Sequence, residues 1–546
     1  MPSVSNFLLE RMENAGIKHV FGVPGDYVLN FYKKLSDNKN IEVVNTTDES
    51  HAGFAADAYA RINGIGCVCV TYNVGALKLA NAIACAYAER SPVVMISGSP
   101  GIKERAEGML LHHMVRSFEC QKQIFENITC ASAVLTDPTK AGYEIDRAFE
   151  ALKYHKQPIY IELPRDIADK TISYDVYRQG TPQSPIGNEE DLNDALEDTL
   201  EWLNNSKNPV ILAGVQVARY GLGKDLLKFA EKSNIPIATT LLSKSVIDET
   251  HPLNLGVYAG ETSQTGVQAA VENSDCLLMF GVLLTDMTLN FMPSRFNKRQ
   301  IVSSSVEGMK IKNKTYGEVN FESFLRKLFK TEVNKKDARI ESLICKERNE
   351  FVPQENAVIS ASRFFDKINS IIDENHIIVA DVGDSLFGSM DLIVRDSNNF
   401  LSPAYYTSMG FAIPGTLGAL CASDSDKAIV IVGDGAFQMS CTELSTILDK
   451  NLNAIVFVLN NRGYTTERFL LDGPFNNIRN WKYENIVNLI DGGTASTVST
   501  EEELEKTINL VLQEKGLHVI NVNIDQFDVS PALKRMTEGL SKRVVS

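Results

Sequence analysis

The run Ala428-Ile-Val-Ile-Val432 passes straight into Gly433-Asp434-Gly435, and a second apolar run, Ala454-Ile-Val-Phe-Val-Leu459, ends in Asn460-Asn461. Both runs are short and apolar throughout. They read as buried strands that lie side by side in a parallel sheet, with one helix between them. That topology sets the two strand ends next to each other. The first ends at an acid flanked by glycines; the second ends at a side-chain amide, 27 residues after the acid. Adjacent strand ends bring a carboxylate and an amide oxygen around one hard cation. The glycines let a diphosphate approach the backbone and the next helix N-terminus. The pattern reads as a Mg²⁺-diphosphate site. A plain βαβ unit with a glycine turn would share the Gly-Asp-Gly, but it would not require the second strand to end in Asn at this spacing.

Length and charge narrow the rest. At 546 residues the chain has room for three or four domains by the usual domain size. Hydrophobic residues make up 44% of it, enough for a globular chain with ample core. The net charge of −15 repels nucleic acid and anionic membrane surfaces, so neither is expected as a partner. The nine cysteines (67, 69, 85, 120, 130, 276, 345, 421 and 441) are scattered and form no Cys-x-x-Cys. That usage fits a reduced, cytoplasmic protein without a zinc knuckle. Glu10, Arg11 and Glu13 come soon after a short apolar patch, so the N-terminus reads as an amphipathic helix and not as a signal peptide. No apolar run is long enough to span a bilayer.

Three α/β blocks are expected. In the first, Val4, Leu8 and Met12 recur with helical spacing before a strand around His19–Phe21, and further strands fall at 67–71, 92–97 and 159–163. The second has strands at 209–213, 235–239 and 276–280, and no phosphate-binding glycine motif opens a helix there, so it reads as structural. The third has strands at 377–380, 428–432, 454–459 and 518–522. Alternation of this kind implies doubly wound parallel sheets covered by helices. The Gly-, Pro- and Ser-rich run 180–188 and the charged run 335–350 mark the boundaries. The expected domains are 1–180, 190–340 and 358–546, with the first and third looking like two copies of one architecture.

Several motifs together carry a resemblance to a known family. Gly433-Asp-Gly with Asn460-Asn461 resembles the cofactor motif of thiamine-diphosphate enzymes. Further motifs narrow it to the 2-oxo acid decarboxylases acting on pyruvate, indolepyruvate, phenylpyruvate and branched-chain 2-oxo acids. They are Phe21-Gly-Val-Pro-Gly-Asp-Tyr27, Asp48-Glu49, Ala55-Ala-Asp-Ala-Tyr-Ala-Arg61, Tyr87-Ala-Glu-Arg-Ser-Pro92, His112-His113, Gly383-Asp-Ser385 and Gly463-Tyr-Thr-Thr-Glu467. The resemblance covers essentially the whole chain, and the middle block is its least distinctive part. It implies a three-domain thiamine-diphosphate-enzyme architecture and the non-oxidative release of CO₂ from a 2-oxo acid to give an aldehyde. The cofactors would be thiamine diphosphate and Mg²⁺, and a small-molecule 2-oxo acid the substrate. The family places its cofactor between the first block of one subunit and the third block of another, which implies a homodimer with active sites at the subunit interface, or a tetramer of such dimers.

The resemblance also assigns roles. Glu49, set beside small apolar residues, is expected to be buried with a raised pKa and to bond the aminopyrimidine ring. Asp26, at a strand end, is expected with His112 and His113 to supply the proton after CO₂ loss and to aid aldehyde release. Glu467 would sit over the reacting carbon, with burial keeping it neutral for part of the cycle. The full catalytic set is Glu49, Asp26, His112, His113 and Glu467. Asp434, Asn461 and the carbonyl of Gly463 would hold Mg²⁺. Cofactor-binding residues would be Glu49, Asp384, Thr407, Met409, Gly433, Asp434, Gly435, Ala436, Asn461, Gly463, Tyr464 and Thr465. In this set Met409 acts as the apolar wedge that bends the cofactor, and the backbone of Thr407 and Met409 faces the pyrimidine.

Three residues bear on substrate size. Pyruvate enzymes with the Gly-Asp-Ser motif can carry a bulky Trp next; here it is Leu386. The residue before the catalytic Glu is often Ile or Val; here it is Thr466, with Leu470 one helical turn on. Trimming such a wall changes discrimination by roughly 1–3 kcal/mol per methylene, so a preference for substrates larger than pyruvate is expected. Asp472-Gly-Pro-Phe-Asn-Asn-Ile478 resembles the pyruvate enzymes instead, and Glu467 is shared with pyruvate and indolepyruvate types. A pyruvate decarboxylase proper, a carboligating synthase of the same superfamily and a catalytically silent relative are the alternatives.

Overall fold

The computed structural model describes residues 1–172, 187–264, 266–289, 296–337, 351–423 and 427–544. Most of the two boundary runs, 180–186 and 338–350, therefore lies outside the described residues, as does Cys345.

Three α/β sheets account for the fold. The first holds β1 (His19–Gly22), β2 (Glu42–Asn45), β3 (Gly66–Val70), β4 (Val93–Ser99), β5 (Ala131–Val134) and β6 (Ile159–Pro164). Their order is β2-β1-β3-β4-β6-β5, all parallel. Every residue of β3, β4 and β6 is buried, as strands covered on both faces must be.

The second sheet holds β7 (Pro209–Ala213), β8 (Ile237–Thr240), β9 (Asn254–Tyr258), β10 (Cys276–Phe280), β11 (Ile301–Ser305), β12 (Gly308–Ile311) and β13 (Lys314–Tyr316). It is parallel from β9 to β11 and then finishes in an antiparallel ribbon, β11-β12-β13. The sequence reading missed this ribbon. Its strands are three to five residues long, and burial alternates along β11, so they lack the all-apolar signature of the central strands.

The third sheet holds β14 (His376–Ala380), β15 (Phe400–Leu401), β16 (Lys427–Gly433), β17 (Ala454–Asn460), β18 (Thr494–Val498) and β19 (Leu517–Asn523). Its order, β15-β14-β16-β17-β19-β18, repeats that of the first sheet strand for strand. The anticipated strands in this block lie within a residue of the observed ones, because each is a near-continuous apolar run.

The chain forms two compact units. One comprises Met1–Pro185 with Ile413–Asp424 and Ser440–Lys450; the other comprises Ile186–Ala412 with Ser425–Met439 and Asn451–Ser546. In the first unit the helix Glu49–Asn63 is capped by Asp48, whose carboxylate accepts from the Ser50 N–H, and stops at Gly64 in the left-handed region (φ +89°). Gly418 packs so tightly on this helix that a Cβ there would lie 1.9 Å from the Ala55 carbonyl oxygen. Among the described residues no helix is long and apolar enough to cross a membrane.

Candidate active site

In the second unit, β16 and β17 pair in parallel with Val432 opposite Val458 and Gly433 opposite Leu459. This register delivers Asp434 and Asn461 to the same edge of the sheet. Asp434 is 1% exposed. Among the described residues its two oxygens accept backbone N–H groups, from Gly435 at 2.8 Å and Arg462 at 2.6 Å, with the Gly463 N–H also turned to it. Burial pushes its carboxyl up to about 7. The Asn461 Oδ1 is also buried and has no hydrogen-bond partner among the described residues. A buried acid and an unsatisfied amide oxygen are costly unless a ligand completes them. Both are oxygen donors, which fits a hard divalent cation such as Mg²⁺.

These residues line a cavity of about 410 Å³. Its floor is glycine-rich. A Cβ at Gly435 would stand 2.7 Å from the Tyr464 ring, and one at Gly463 would stand 2.1 Å from the Asn476 carbonyl oxygen. The remaining anticipated residues of this block, namely Asp384, Leu386, Thr407, Met409, Gly433, Ala436, Thr465, Thr466, Glu467 and Leu470, also line it. Thr407 adopts φ +53°, a strained conformation for a β-branched residue, and such strain concentrates at functional positions.

Asp381, a residue the sequence reading left without a role, holds the backbone just past this turn, at Gly410 and Ala412. It follows β14 as Asp434 follows β16. Fully buried, it accepts N–H groups from Val382 at 3.0 Å, Gly410 at 3.2 Å and Ala412 at 2.8 Å, and burial pushes its carboxyl up to about 6. The matching strand-end position was the available signal. Met287 and Met536 were missed for a different reason. They reach the cavity from the short helix Asp286–Leu289 and from the C-terminal helix Pro531–Val544. No local pattern ties either to the distant residues they meet there. The middle block, read as structural, thus contributes Met287 to the cavity wall.

Asp384 has a defined structural job. Both of its oxygens accept from Ser530, one from the backbone N–H at 2.9 Å and one from the hydroxyl. Ser530 in turn accepts from the Leu533 N–H at 3.1 Å and so caps the C-terminal helix. Glu467, expected to be buried, is exposed in the chain, because it lies in the first turn of the short helix Thr465–Leu470.

In the first unit, Asp26, His112 and His113 come together. His112 Nε2 is 2.8 Å from Asp26 Oδ2, and His113 Nε2 is 3.8 Å from Asp26 Oδ1. The Tyr27 ring stacks on His112 at 4.6 Å, and its hydroxyl lies 3.2 Å from His112 Nδ1. That contact orients the imidazole and leaves Nε2 for the carboxylate. Glu49 does not sit in the apolar environment expected of it. The buried small residues come after it in the chain, whereas Glu49 itself heads the helix, with Oε2 3.1 Å from the half-exposed Lys78 ammonium. Beneath the same turn, Glu443 is fully buried and accepts from the Thr47 N–H at 3.1 Å and hydroxyl at 2.7 Å, with His51 Nδ1 at 2.9 Å.

Three family models match the chain that carries this geometry. They are the thiamine pyrophosphate enzyme N-terminal TPP binding domain over residues 2–121, the central domain over 196–328 and the C-terminal TPP binding domain over 381–522. A probable pyruvate decarboxylase of Schizosaccharomyces pombe is 32% identical over 97% of this chain and 94% of its own length. The indole-3-pyruvate decarboxylase of Azospirillum brasilense is 30% identical over 97% of both chains. Pyruvate decarboxylase isozyme 1 of Saccharomyces cerevisiae is 30% identical over 88% of this chain and 87% of its own.

The environment of Asp384 generates a pH prediction. Burial raises its carboxyl from 3.8 to about 6 in the folded chain. The folded state therefore holds a proton that the unfolded chain has released, and the stability tied to this group is lost as pH rises through that window. An Asn can keep both contacts with Ser530 and does not ionise. Asp384→Asn is expected to melt near the wild-type temperature at pH 4 and above it at pH 7, as read by thermal unfolding across pH.

Proposed function

The chain belongs to the thiamine-diphosphate-dependent 2-oxo acid decarboxylases, carboxy-lyases that release CO₂, and within that family we propose that it acts on 2-oxo acids larger than pyruvate. The observation that carries the cofactor reading is the pairing of buried Asp434 with the unsatisfied Asn461 oxygen at neighbouring strand ends. Asp434, Asn461 and the Gly463 carbonyl would hold Mg²⁺, and the glycine-rich floor would admit the diphosphate. Thiamine diphosphate, when bound, supplies the carbon nucleophile and electron sink that side chains lack.

The chain's own groups handle protons and shape. Decarboxylation replaces the carboxylate of the substrate by a proton, and the Asp26–His112–His113 group is suited to hold it: two imidazoles share one carboxylate, and Tyr27 fixes the first ring. Glu49 offers a carboxylate for a ring nitrogen, with the Lys78 ammonium 3.1 Å from its Oε2. Glu467 stands at the cavity with Thr466 and Leu470.

The proposed assembly rests on where these groups lie. Asp26, Glu49 and the His pair belong to one unit, and Asp434 and Asn461 to the other. The His loop also presents Leu110 at 90% exposure. Both facts support a homodimer, or a tetramer of dimers, in which a second copy covers this loop. Sedimentation of the active enzyme is expected to give a dimer or larger, and a fully active monomer would contradict it.

Substrate size rests on the wall. Leu386 and Thr466 stand where bulkier side chains narrow related sites, and Met287 and Met536 add flexible, unbranched side chains to the lining. Aliphatic, branched-chain or aryl 2-oxo acids would fill this space better than pyruvate. The second reading, a pyruvate decarboxylase proper, is favoured by the run Asp472–Ile478, which folds back so that Arg468 binds Asp472 at 3.1 Å and Asn477 at 2.9 Å. Specificity constants decide between them. A phenyl or six-carbon 2-oxo acid is expected to exceed pyruvate by about one to two powers of ten; a higher value for pyruvate selects the second reading.

A further inference from the structure

The segment carrying His112 and His113 lies between the helices Ile102–Ala106 and Cys120–Phe125. It has little apolar anchorage: Met109, Leu110 and Val115 are 55%, 90% and 62% exposed. His113 also adopts φ +65°, a left-handed conformation that a histidine holds only when its surroundings impose it. Tyr27 accounts for His112. Something else must fix His113.

The structure supplies it from below. Asn73, 1% exposed and itself left-handed at φ +47°, donates its side-chain N–H to the His113 carbonyl oxygen at 2.6 Å. Its own backbone N–H donates to Gln121 Oε1 at 2.5 Å. Gln121 is fully buried and donates from Nε2 to Ser97 Oγ at 2.8 Å and to the Tyr160 hydroxyl at 2.7 Å. Tyr160 then donates to Glu162 at 2.6 Å, and the Arg105 guanidinium closes the chain on the same carboxylate at 2.6 Å.

Every direction in this series is forced. Glu162 can only accept, so Tyr160 donates to it. Tyr160 must then accept from the Gln121 amide nitrogen, which leaves the Gln121 oxygen for the Asn73 N–H. Asn is also one of few residues that both tolerate the left-handed region and carry a short amide donor. Asn73 Oδ1 has no partner among the described residues. The residue therefore leaves a buried acceptor unsatisfied while keeping its donor on His113.

We propose that Asn73 is the positioning residue for His113, tying the proton-donating loop to the buried Gln121–Tyr160–Glu162 series, which runs from a helix into β6. This rests on the reading of Asp26, His112 and His113 as the group that supplies the proton after CO₂ leaves.

Two variants test it in the holoenzyme. Asn73→Asp keeps shape and backbone preference but has no donor. Asn73→Gly keeps the left-handed backbone at no steric cost and removes the side chain, so it decides the matter should the Asp variant not fold. Both are expected to lower kcat by roughly ten- to a hundredfold, the scale of a small misplacement of a reacting group, with KM little changed; the Asp variant, which turns a buried carboxylate on a carbonyl oxygen, is expected to melt lower, and the Gly variant closer to wild type. Both are also expected to share a signature with His113→Ala. When an acceptor aldehyde is added, the ratio of 2-hydroxyketone to released aldehyde rises, because slower protonation leaves time for condensation. In the cofactor-free protein, the His113 imidazole signal, assigned by its loss in His113→Ala, is expected to move in both Asn73 variants. A purely conformational role for Asn73 predicts a wild-type-like Gly variant and is thereby distinguished. If His113→Ala is disabled while both Asn73 variants retain wild-type kcat, product ratio and His113 signal, the inference on Asn73 is overturned and the reading of the His pair stands. If His113→Ala itself turns over normally, both fall.

Discussion

The parallel pairing of β16 with β17 is the constraint on which the rest of this site depends. It places Asp434 and Asn461 at one sheet edge, in a setting that buries the first and leaves the second unsatisfied. Neither condition is stable by itself. A carboxyl pushed up to about 7 by burial, beside an amide oxygen with no donor, is a pair of acceptors arranged for a cation. Gly435 and Gly463 let the backbone pack closely on Tyr464 and Asn476, where any side chain would clash, while a Cβ at Gly433 would meet nothing within 4 Å. In the proposed reading, cation, diphosphate and sheet register are one requirement seen from three directions.

The same logic recurs at β14, where a buried strand-end acid holds backbone and not metal. Asp381 gathers the N–H groups of Gly410 and Ala412, just past Thr407 and Met409. Asp384, three residues on, anchors the C-terminal helix that brings Met536 to the cavity. Of three buried acids near the strand ends of this sheet, Asp381 and Asp384 thus hold backbone, and Asp434 is the candidate ligand. In the first unit the catalytic candidates are held differently. His112 stacks on Tyr27 and bonds Asp26, and His113 hangs on a buried polar series.

Much of this was legible because central parallel strands announce themselves. Runs such as Ala428–Val432 and Ala454–Leu459 have no polar residue to blur their ends, and the candidate metal-site residues follow those ends. The edge ribbon β11-β12-β13 was not legible, because short half-buried strands share their composition with loops. Burial of Glu467 was misjudged, because its family role was taken to imply an enclosed acid; Glu49 is largely buried, as expected, but faces an ammonium as well as small apolar residues. Each acid stands at the start of a helix, Glu49 beside Lys78 and Glu467 in the first turn of Thr465–Leu470. Met287, Met536 and Asn73 act through tertiary contacts across long stretches of chain, and no local spacing records such contacts.

The central claim is that Asp434 and Asn461 form a cation-dependent diphosphate site. Calorimetric titration of thiamine diphosphate into the cofactor-free protein, with and without Mg²⁺, tests it most directly when wild type, Asp434→Ala and Glu49→Gln are compared. The account predicts tight binding to wild type only with Mg²⁺, none to Asp434→Ala under either condition, and retained Mg²⁺-dependent binding to Glu49→Gln. Binding to Asp434→Ala as tight as to wild type, or binding indifferent to Mg²⁺, would contradict it.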